Sequence, residues 1–274
     1  MEEGLRYLSG NPKAIFFTDF DGTITLQDCN DYLVLYLTPH SFSLANLALE
    51  VDNFGFGVEK RRMLELEVLK GTLSFRDAFQ AMLDSVRMPF ENCLRIVQEN
   101  VQLDPRFLDF YAWAKGNNVP IVILSSGMTP VIEALLTSFF GRKPENIFVV
   151  ANDVEPRSGK HINMDGGWRI RYRDDSTFGH DKSLEIKPYV ALPDGQRPVL
   201  LFAGDGVSDL SAASETHILF AKEGLDLVKY CEQSGIPFVP FKNWASILET
   251  MQDIHECISN TGSAGYSLQG LAKN

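Results

Sequence analysis

The sequence is short of positive charge, short of cysteine, and without a long apolar run. Its 274 residues carry 25 Lys and Arg against 36 Asp and Glu, a formal net charge of −11. Binding to nucleic acid or to an anionic membrane needs a dense positive field, so this deficit argues against both partners. An anion would need a local reversal of charge. The four cysteines (Cys29, Cys93, Cys231 and Cys257) are scattered and form no C-x-x-C pair. Neither a zinc site nor a disulfide framework is therefore expected. No apolar run approaches the roughly 18–20 residues that span a bilayer. The opening Met1-Glu2-Glu3-Gly4 lacks the basic and then apolar order of a secretory signal. These absences together lead to the expectation of a cytoplasmic protein.

What is present reads as an ordinary folded chain, 45% hydrophobic and 22% charged. Ala14–Thr18 is a short apolar run of the kind buried on both faces of a parallel sheet. Similar runs recur at Pro120–Leu124, Ile147–Ala151, Val199–Ala203, His217–Ala221 and Pro237–Phe241. Helical segments separate the later runs; one starts at a capping Thr129 before Pro130 and stops at Gly141. The alternation implies an α/β fold with a doubly wound parallel sheet.

Residues 27–115 break that alternation. Helical patterns run over Val58–Lys70, Pro89–Asn100 and Pro105–Lys115. Another follows Ser74, with Phe75, Ala78, Phe79 and Met82 in register and Asp77 completing a variant capping box. The expected organisation is an α/β core from 1–26 plus 116–274 and a helical insertion over 27–115. A second excursion, Val154–Phe178, is polar, and Trp168–Arg173 alternates strictly. It predicts a small β-hairpin outside the main sheet. The Ser/Gly-rich end after Ile258 is expected to be loosely held.

Four groups of chemistry-bearing residues sit where strands end or helices begin. Asp19-Phe20-Asp21-Gly22-Thr23 follows the first strand, and residues two apart on extended chain point the same way. Two such carboxylates bind a hard cation or act as nucleophile and acid–base; alternatively they satisfy backbone donors in a Gly22 turn. Ser125-Ser126-Gly127 offers a hydroxyl and amides to an anion, or is a plain turn. Lys182 opens a helix against its dipole, or is a solvated surface charge. Gly204-Asp205-Gly206-Val207-Ser208-Asp209 places Asp205 within reach of a cation held by Asp19, with Asp209 behind it orienting the ligands. Its bland alternative is a glycine-rich turn.

In this order and context the set resembles the aspartate-nucleophile phosphatases of the haloacid dehalogenase (HAD) superfamily. The motifs that carry the resemblance are D-x-D-x-T at Asp19–Thr23, the strand-end Ser125, Lys182, and G-D-x-x-x-D at Gly204–Asp209. It covers residues 12–26 and 118–222, with the helical insertion in the place of that superfamily's type 1 cap. It implies a HAD-like core and Mg²⁺-dependent hydrolysis of a small phosphorylated metabolite. Asp19 would attack phosphorus and form an aspartyl-phosphate, and Asp21 would serve as acid and then base. The implied metal group is Asp19, Asp21 through its carbonyl, and Asp205, with Asp209 supporting. Ser125, Ser126 and Gly127 would hold the phosphoryl oxygens, and Lys182 would neutralise charge.

Within the superfamily the chain resembles the phosphoserine-phosphatase-like branch, which includes methionine-salvage phosphatases and fungal polyol-phosphate phosphatases. Asp28, nine residues after Asp19, either contacts substrate or caps a helix. In Lys60-Arg61-Arg62, Arg62 or Arg61 meets an anionic or hydroxyl-rich substrate, or the three form a solvated face. Asp28 in place of glutamate and the long Val154–His180 excursion depart from serine-specific members. The expected substrate is thus a phosphorylated polyol or a related metabolite. A phosphoserine or methionine-salvage phosphatase, a phosphotransferase or mutase, and a non-enzymatic regulatory protein on the same fold are the alternatives.

Overall fold

Ala14–Thr18 forms β1, buried along its whole length, at the middle of a seven-stranded sheet. The computed structural model describes residues 3–30 and 57–261. The other strands are β2 (Ile121–Met128), β3 (Ile147–Pro156), β4 (Trp168–Arg171), β5 (Val199–Gly204), β6 (Ile218–Lys222) and β7 (Val239–Phe241). Their spatial order is β4-β3-β2-β1-β5-β6-β7. All neighbours are parallel except β3 and β4. Order reverses at β1, so the strand ends on either side of it open the crevice where α/β sheets hold their ligands.

Successive β1 side chains serve opposite layers. Phe16 packs among Phe110, Phe220 and Trp244, while Phe17 meets Tyr7 and Tyr189. The Phe16 face is covered by α4 (Phe107–Gly116), α5 (Thr129–Phe140) and α9 (Trp244–Thr261). The other is covered by α6 (Ser183–Val190), α7 (Leu210–Ala213), α8 (Asp226–Ser234) and the kinked segment Glu3–Leu8. Gly141 ends α5 at φ 69°, as expected of a C-terminal glycine. Thr129 does not cap that helix; its hydroxyl donates to the Asn152 carbonyl at 2.9 Å.

The insertion contributes α1 (Gly57–Leu69), α2 (Phe75–Asp84) and α3 (Phe90–Asn100). Residues 31–56 and the chain end after 261 lie outside the described residues. Ser74 caps α2 as anticipated, accepting from the Asp77 amide at 3.0 Å and donating to its carboxylate at 2.7 Å. The helix expected at 105–115 as the last of the insertion is α4, and it lies on the sheet. Phe107 meets Trp244 edge-on and Phe110 meets it at a tilt, with ring centroids 4.6 and 4.7 Å away. The two ends of the crossover are tied together, where the Leu26 amide donates to Gln102 O and the Gln102 amide to Gln27 Oε1, both at 2.8 Å.

The polar excursion is not separate from the main sheet. β3 runs past Ala151 to Pro156, and its outer half pairs antiparallel with β4, Asp153 opposite Arg171 and Pro156 opposite Trp168. The alternation seen in sequence buries Trp168 and Ile170 and exposes Arg169 and Arg171 to Glu155 and Asp153. This hairpin clasps the insertion: Trp168 Nε1 donates to Met88 O at 2.8 Å, and Phe90 N donates to Ile162 O at 3.1 Å.

Candidate active site

β1 carries its ladder one residue beyond its end, the Asp19 amide donating to Ala203 O at 2.8 Å. The chain then turns sharply at Gly22, φ 72°, with the amides of Thr23, Ile24 and Thr25 converging on Phe20 O. A Cβ at Gly22 would lie 2.5 Å from Asp205 Oδ2, so glycine is required by both the dihedral and the close approach. The turn is pinned from beneath. Lys222 Nζ donates to Gly22 O, and Trp244 Nε1 to Thr23 O at 2.9 Å.

Lys182 is completely buried and holds two carboxylates, Asp19 Oδ1 at 2.6 Å and Asp209 Oδ1 at 2.7 Å. A buried ammonium is tolerated only when paired in this way. Burial works against its charge, yet Asp19 and Asp209 together hold its pKa above the usual lysine value. Burial pushes Asp19 up to about 7 against the pull of Lys182. Asp205 is pushed up to about 9 by burial and by the nearby Asp19 and Asp209 charges. Three carboxylates around one ammonium leave an excess of negative charge.

Oxygen atoms of Asp19, Asp205 and Asp209 lie within 4.8 Å of one another. That all-oxygen, over-acidic set fits a hard divalent cation. The three are not equivalent. Asp209 Oδ2 accepts from the Asp205 and Gly206 amides at 2.9 and 3.0 Å, and its Oδ1 is taken by Lys182. Asp209 therefore orients the Asp205 loop, with both of its oxygens already hydrogen-bonded. Asp205 gives one oxygen to the Thr23 hydroxyl at 3.1 Å. The Asp21 carboxylate is not in this group. It accepts from Cys29 N at 2.9 Å and from Asn30 Nδ2 at 3.0 Å. Burial, and then the Asp28 charge, raise the Asp21 pKa well above the carboxylate range.

Ser125, Ser126 and Gly127 occupy a register shift near the end of β2, where pairing jumps from Ser125–Ala151 to Met128–Asn152. Such bulges re-aim side chains beside active sites. The Gly127 amide, expected to face an anion, instead donates to Ser125 Oγ at 3.0 Å. With that lone pair engaged, the Ser125 hydroxyl keeps its own proton to donate. Ser126 Oγ is buried without a hydrogen-bond partner. His180 and Asn152 brace the segment from behind, His180 Nδ1 at Ser125 O and Asn152 Nδ2 at Ser126 O, both 2.8 Å. Burial lowers the His180 pKa to about 4, so the ring is neutral and Nδ1 carries the proton.

The residues expected outside the core motifs fall differently. Asp28 Oδ1 accepts from the Asn30 amide at 2.8 Å, the bond of a helix cap. Arg62 is exposed on α1, and among the described residues no hydrogen bond links it to the site. Sequence reasoning missed Asn30, Lys222, Trp244 and Asn152. Of these only Lys222, a charge closing an apolar strand, carried a visible signal.

The model of the haloacid dehalogenase-like hydrolases matches residues 16–214. The chain is similar to Pdp3-interacting factor 1 of Schizosaccharomyces pombe, 47% identical over 239 residues, covering 87% of this chain and 94% of that protein. It is also similar to polyol phosphate phosphatase PYP1 of Saccharomyces cerevisiae, 44% identical over 249 residues, covering 88% and 94%. Among solved structures, a substrate-bound phosphoserine phosphatase complex shares the fold at TM-score 0.56 and 14% identity, covering 87% of this chain and 98% of that one.

Proposed function

Because the chain belongs to the haloacid dehalogenase-like hydrolase family, we propose that it hydrolyses small phosphomonoesters, phosphorylated polyols among them, through an aspartyl-phosphate on Asp19. The observation that carries this reading is the fully buried Lys182 held between Asp19 and Asp209 beside Asp205. Such an arrangement leaves a carboxylate oriented by one oxygen and free to attack with the other.

Asp19 Oδ1 is fixed by Lys182, so Oδ2 forms the new bond to phosphorus as the ester P–O bond breaks. The electron pair leaves on the alcohol oxygen, which takes a proton from Asp21. Burial favours the protonated Asp21 that this first step needs. Water then attacks the aspartyl-phosphate and gives a proton back to Asp21, restoring Asp19 and releasing inorganic phosphate. The Ser125 hydroxyl donates to a phosphoryl oxygen, and Lys182 offsets negative charge as the bond order to phosphorus changes. Mg²⁺ held by Asp19, Asp205 and the Asp21 carbonyl would supply Lewis-acid stabilisation of phosphoryl charge and relieve the crowding of carboxylates.

The similar yeast protein's name as a polyol phosphate phosphatase supports the substrate class, at 44% identity across nearly its whole length. The test is phosphate release from a panel of polyol phosphates, phosphoserine and other small phosphomonoesters, with Mg²⁺ and with EDTA. Mg²⁺-dependent release, largest on polyol phosphates, is expected. No release from any ester overturns the hydrolase reading, and preference for phosphoserine overturns the substrate class.

A further inference from the structure

Asp21 is the group that must deliver a proton, and its carboxylate is held from two sides by the consecutive residues Cys29 and Asn30. Oδ1 accepts from the Cys29 main-chain amide at 2.9 Å, a bond that almost any residue at position 29 would make. Oδ2 accepts from the side-chain amide of Asn30 at 3.0 Å, a bond that depends on asparagine being there. Asn30 is 6% exposed, and its own main-chain amide is held by Asp28 Oδ1 at 2.8 Å. Its side chain is thus delivered from a fixed backbone.

The place where this contact is made ties Asn30 to the reaction. A Cβ on Gly127 would lie 3.0 Å from Asp21 Oδ2, 3.2 Å from Ser125 Oγ and 3.4 Å from Asn30 Nδ2. Asp21 Oδ2 and Asn30 Nδ2 therefore meet the Ser125 hydroxyl beside one bare Cα of the Ser125–Gly127 segment. Of these three polar atoms, one belongs to the proposed acid, one to the hydroxyl proposed to hold the phosphoryl group, and one to Asn30. A buried amide aimed there has a purpose beyond packing, since an apolar side chain would fill the volume without needing a partner.

We propose that Asn30 is a positioning residue for proton transfer from Asp21, and that it sets how poor a leaving group the enzyme expels. This rests on the phosphomonoesterase reading of the same site. By donating to Oδ2, Asn30 fixes the rotation of the carboxyl and directs its acidic proton at the departing oxygen. As the P–O bond breaks, its electron pair passes to that oxygen and the Asp21 O–H proton moves onto it. The Asn30 amide then stabilises the carboxylate left behind. An alkoxide cannot leave without that proton, whereas an acidic phenol such as p-nitrophenol can.

The test compares kcat/KM for an alkyl ester, glycerol phosphate, with that for p-nitrophenyl phosphate in wild type, Asn30→Ala and Asn30→Leu. The leucine variant fills the same volume without the donor, and thermal melting of both variants checks the fold. The expected result is a fall of about 10–100-fold in the ratio of alkyl to aryl kcat/KM, part of the range for general acid catalysis. Asp21→Asn serves as the reference for complete loss of the acid and shifts the ratio further in the same direction. An unchanged ratio in a folded variant, whatever the absolute rates, overturns the role of Asn30. Wild-type enzyme inactive on both esters overturns the phosphomonoesterase reading instead, so the two failures are distinct.

Discussion

The guanidinium of Arg76, on the insertion, lies over the ring of Tyr172, on the core, 4.8 Å from its centroid. The Tyr172 hydroxyl returns a hydrogen bond to Arg76 O at 2.8 Å. The Arg76 amide donates to Thr177 O at 2.8 Å, in the loop that leads to Lys182. One residue pair thus joins the insertion to the segment carrying the buried ammonium.

Tyr172→Phe keeps the ring and removes the hydroxyl. A loss of about 1 kcal/mol in unfolding free energy is expected, the usual net value of one hydrogen bond. Arg76→Ala also removes the stacked cation and should cost more, with KM rising more than kcat falls because the insertion is less firmly seated. The Arg76 pairing with the fully exposed Asp175 adds little, so Asp175→Ala should be neutral. Urea unfolding and steady-state kinetics on the three variants check this ordering; equal effects would contradict it.

Asp19→Asn and Lys182→Met separate chemistry from stability. The asparagine carbonyl still accepts from Lys182, so the first variant should fold normally and release no phosphate. The second leaves Asp19 and Asp209 buried without a cation and should lose about 3–5 kcal/mol of stability. Turnover in Asp19→Asn would remove that residue as the nucleophile.

Asp205→Asn should raise stability without metal and weaken the response to Mg²⁺. In EDTA the substitution removes one of three crowded carboxylates and raises the melting temperature. Mg²⁺ should stabilise the wild type, as any ligand of the native state does, and give the variant a smaller gain. Calorimetry in each condition reads both effects, and a melting temperature indifferent to Mg²⁺ in wild type argues against a metal at this group.

His180 makes stability depend on pH in a defined window. Its ordinary pKa of 6.5 falls to about 4 in the folded protein because the ring is buried. Between those values the unfolded chain binds a proton that the native state refuses, so stability falls as pH falls from 6.5 towards 4 and is retained above 6.5. The contribution of this one ring between pH 7 and pH 5 is about 2 kcal/mol. His180→Asn keeps a donor for Ser125 O and has no proton to take up, so its stability should decline less over that interval. Parallel wild-type and variant curves in urea titrations at the two pH values would rule out His180 as the source.

Much of the fold was legible because burial on both faces leaves an unmistakable trace. Ala14–Thr18 offers no polar face, and the paired Asp19 and Asp21 that follow it stand out by contrast. The seat of α4 was not legible. Its buried Phe107, Phe110 and Ala114 form the same apolar stripe whether the helix packs on a sheet or on other helices. The braces of the Gly22 turn were invisible for another reason. Lys222 and Trp244 reach Gly22 O and Thr23 O from 200 and 221 residues away, and a contact to a main-chain carbonyl asks nothing of the residue it meets. Asn30 lies nine residues from Asp21, but one polar residue at the foot of a helix looks like any other.

The central place of β1 makes the order of events in biosynthesis matter. Synthesised before both of its partners, this apolar strand must wait for β2 and then for β5, which pair with it at Ile121–Ile123 and Val199–Ala203. Until then both of its edges are open, and Asp19 has neither Lys182 nor Asp209 beside it. Such long-range pairing is slow and leaves sticky intermediates. The proposed site is thus complete only once β1 is paired on both of its edges. A prematurely terminated chain that stops before β5 should be prone to aggregation and catalytically silent.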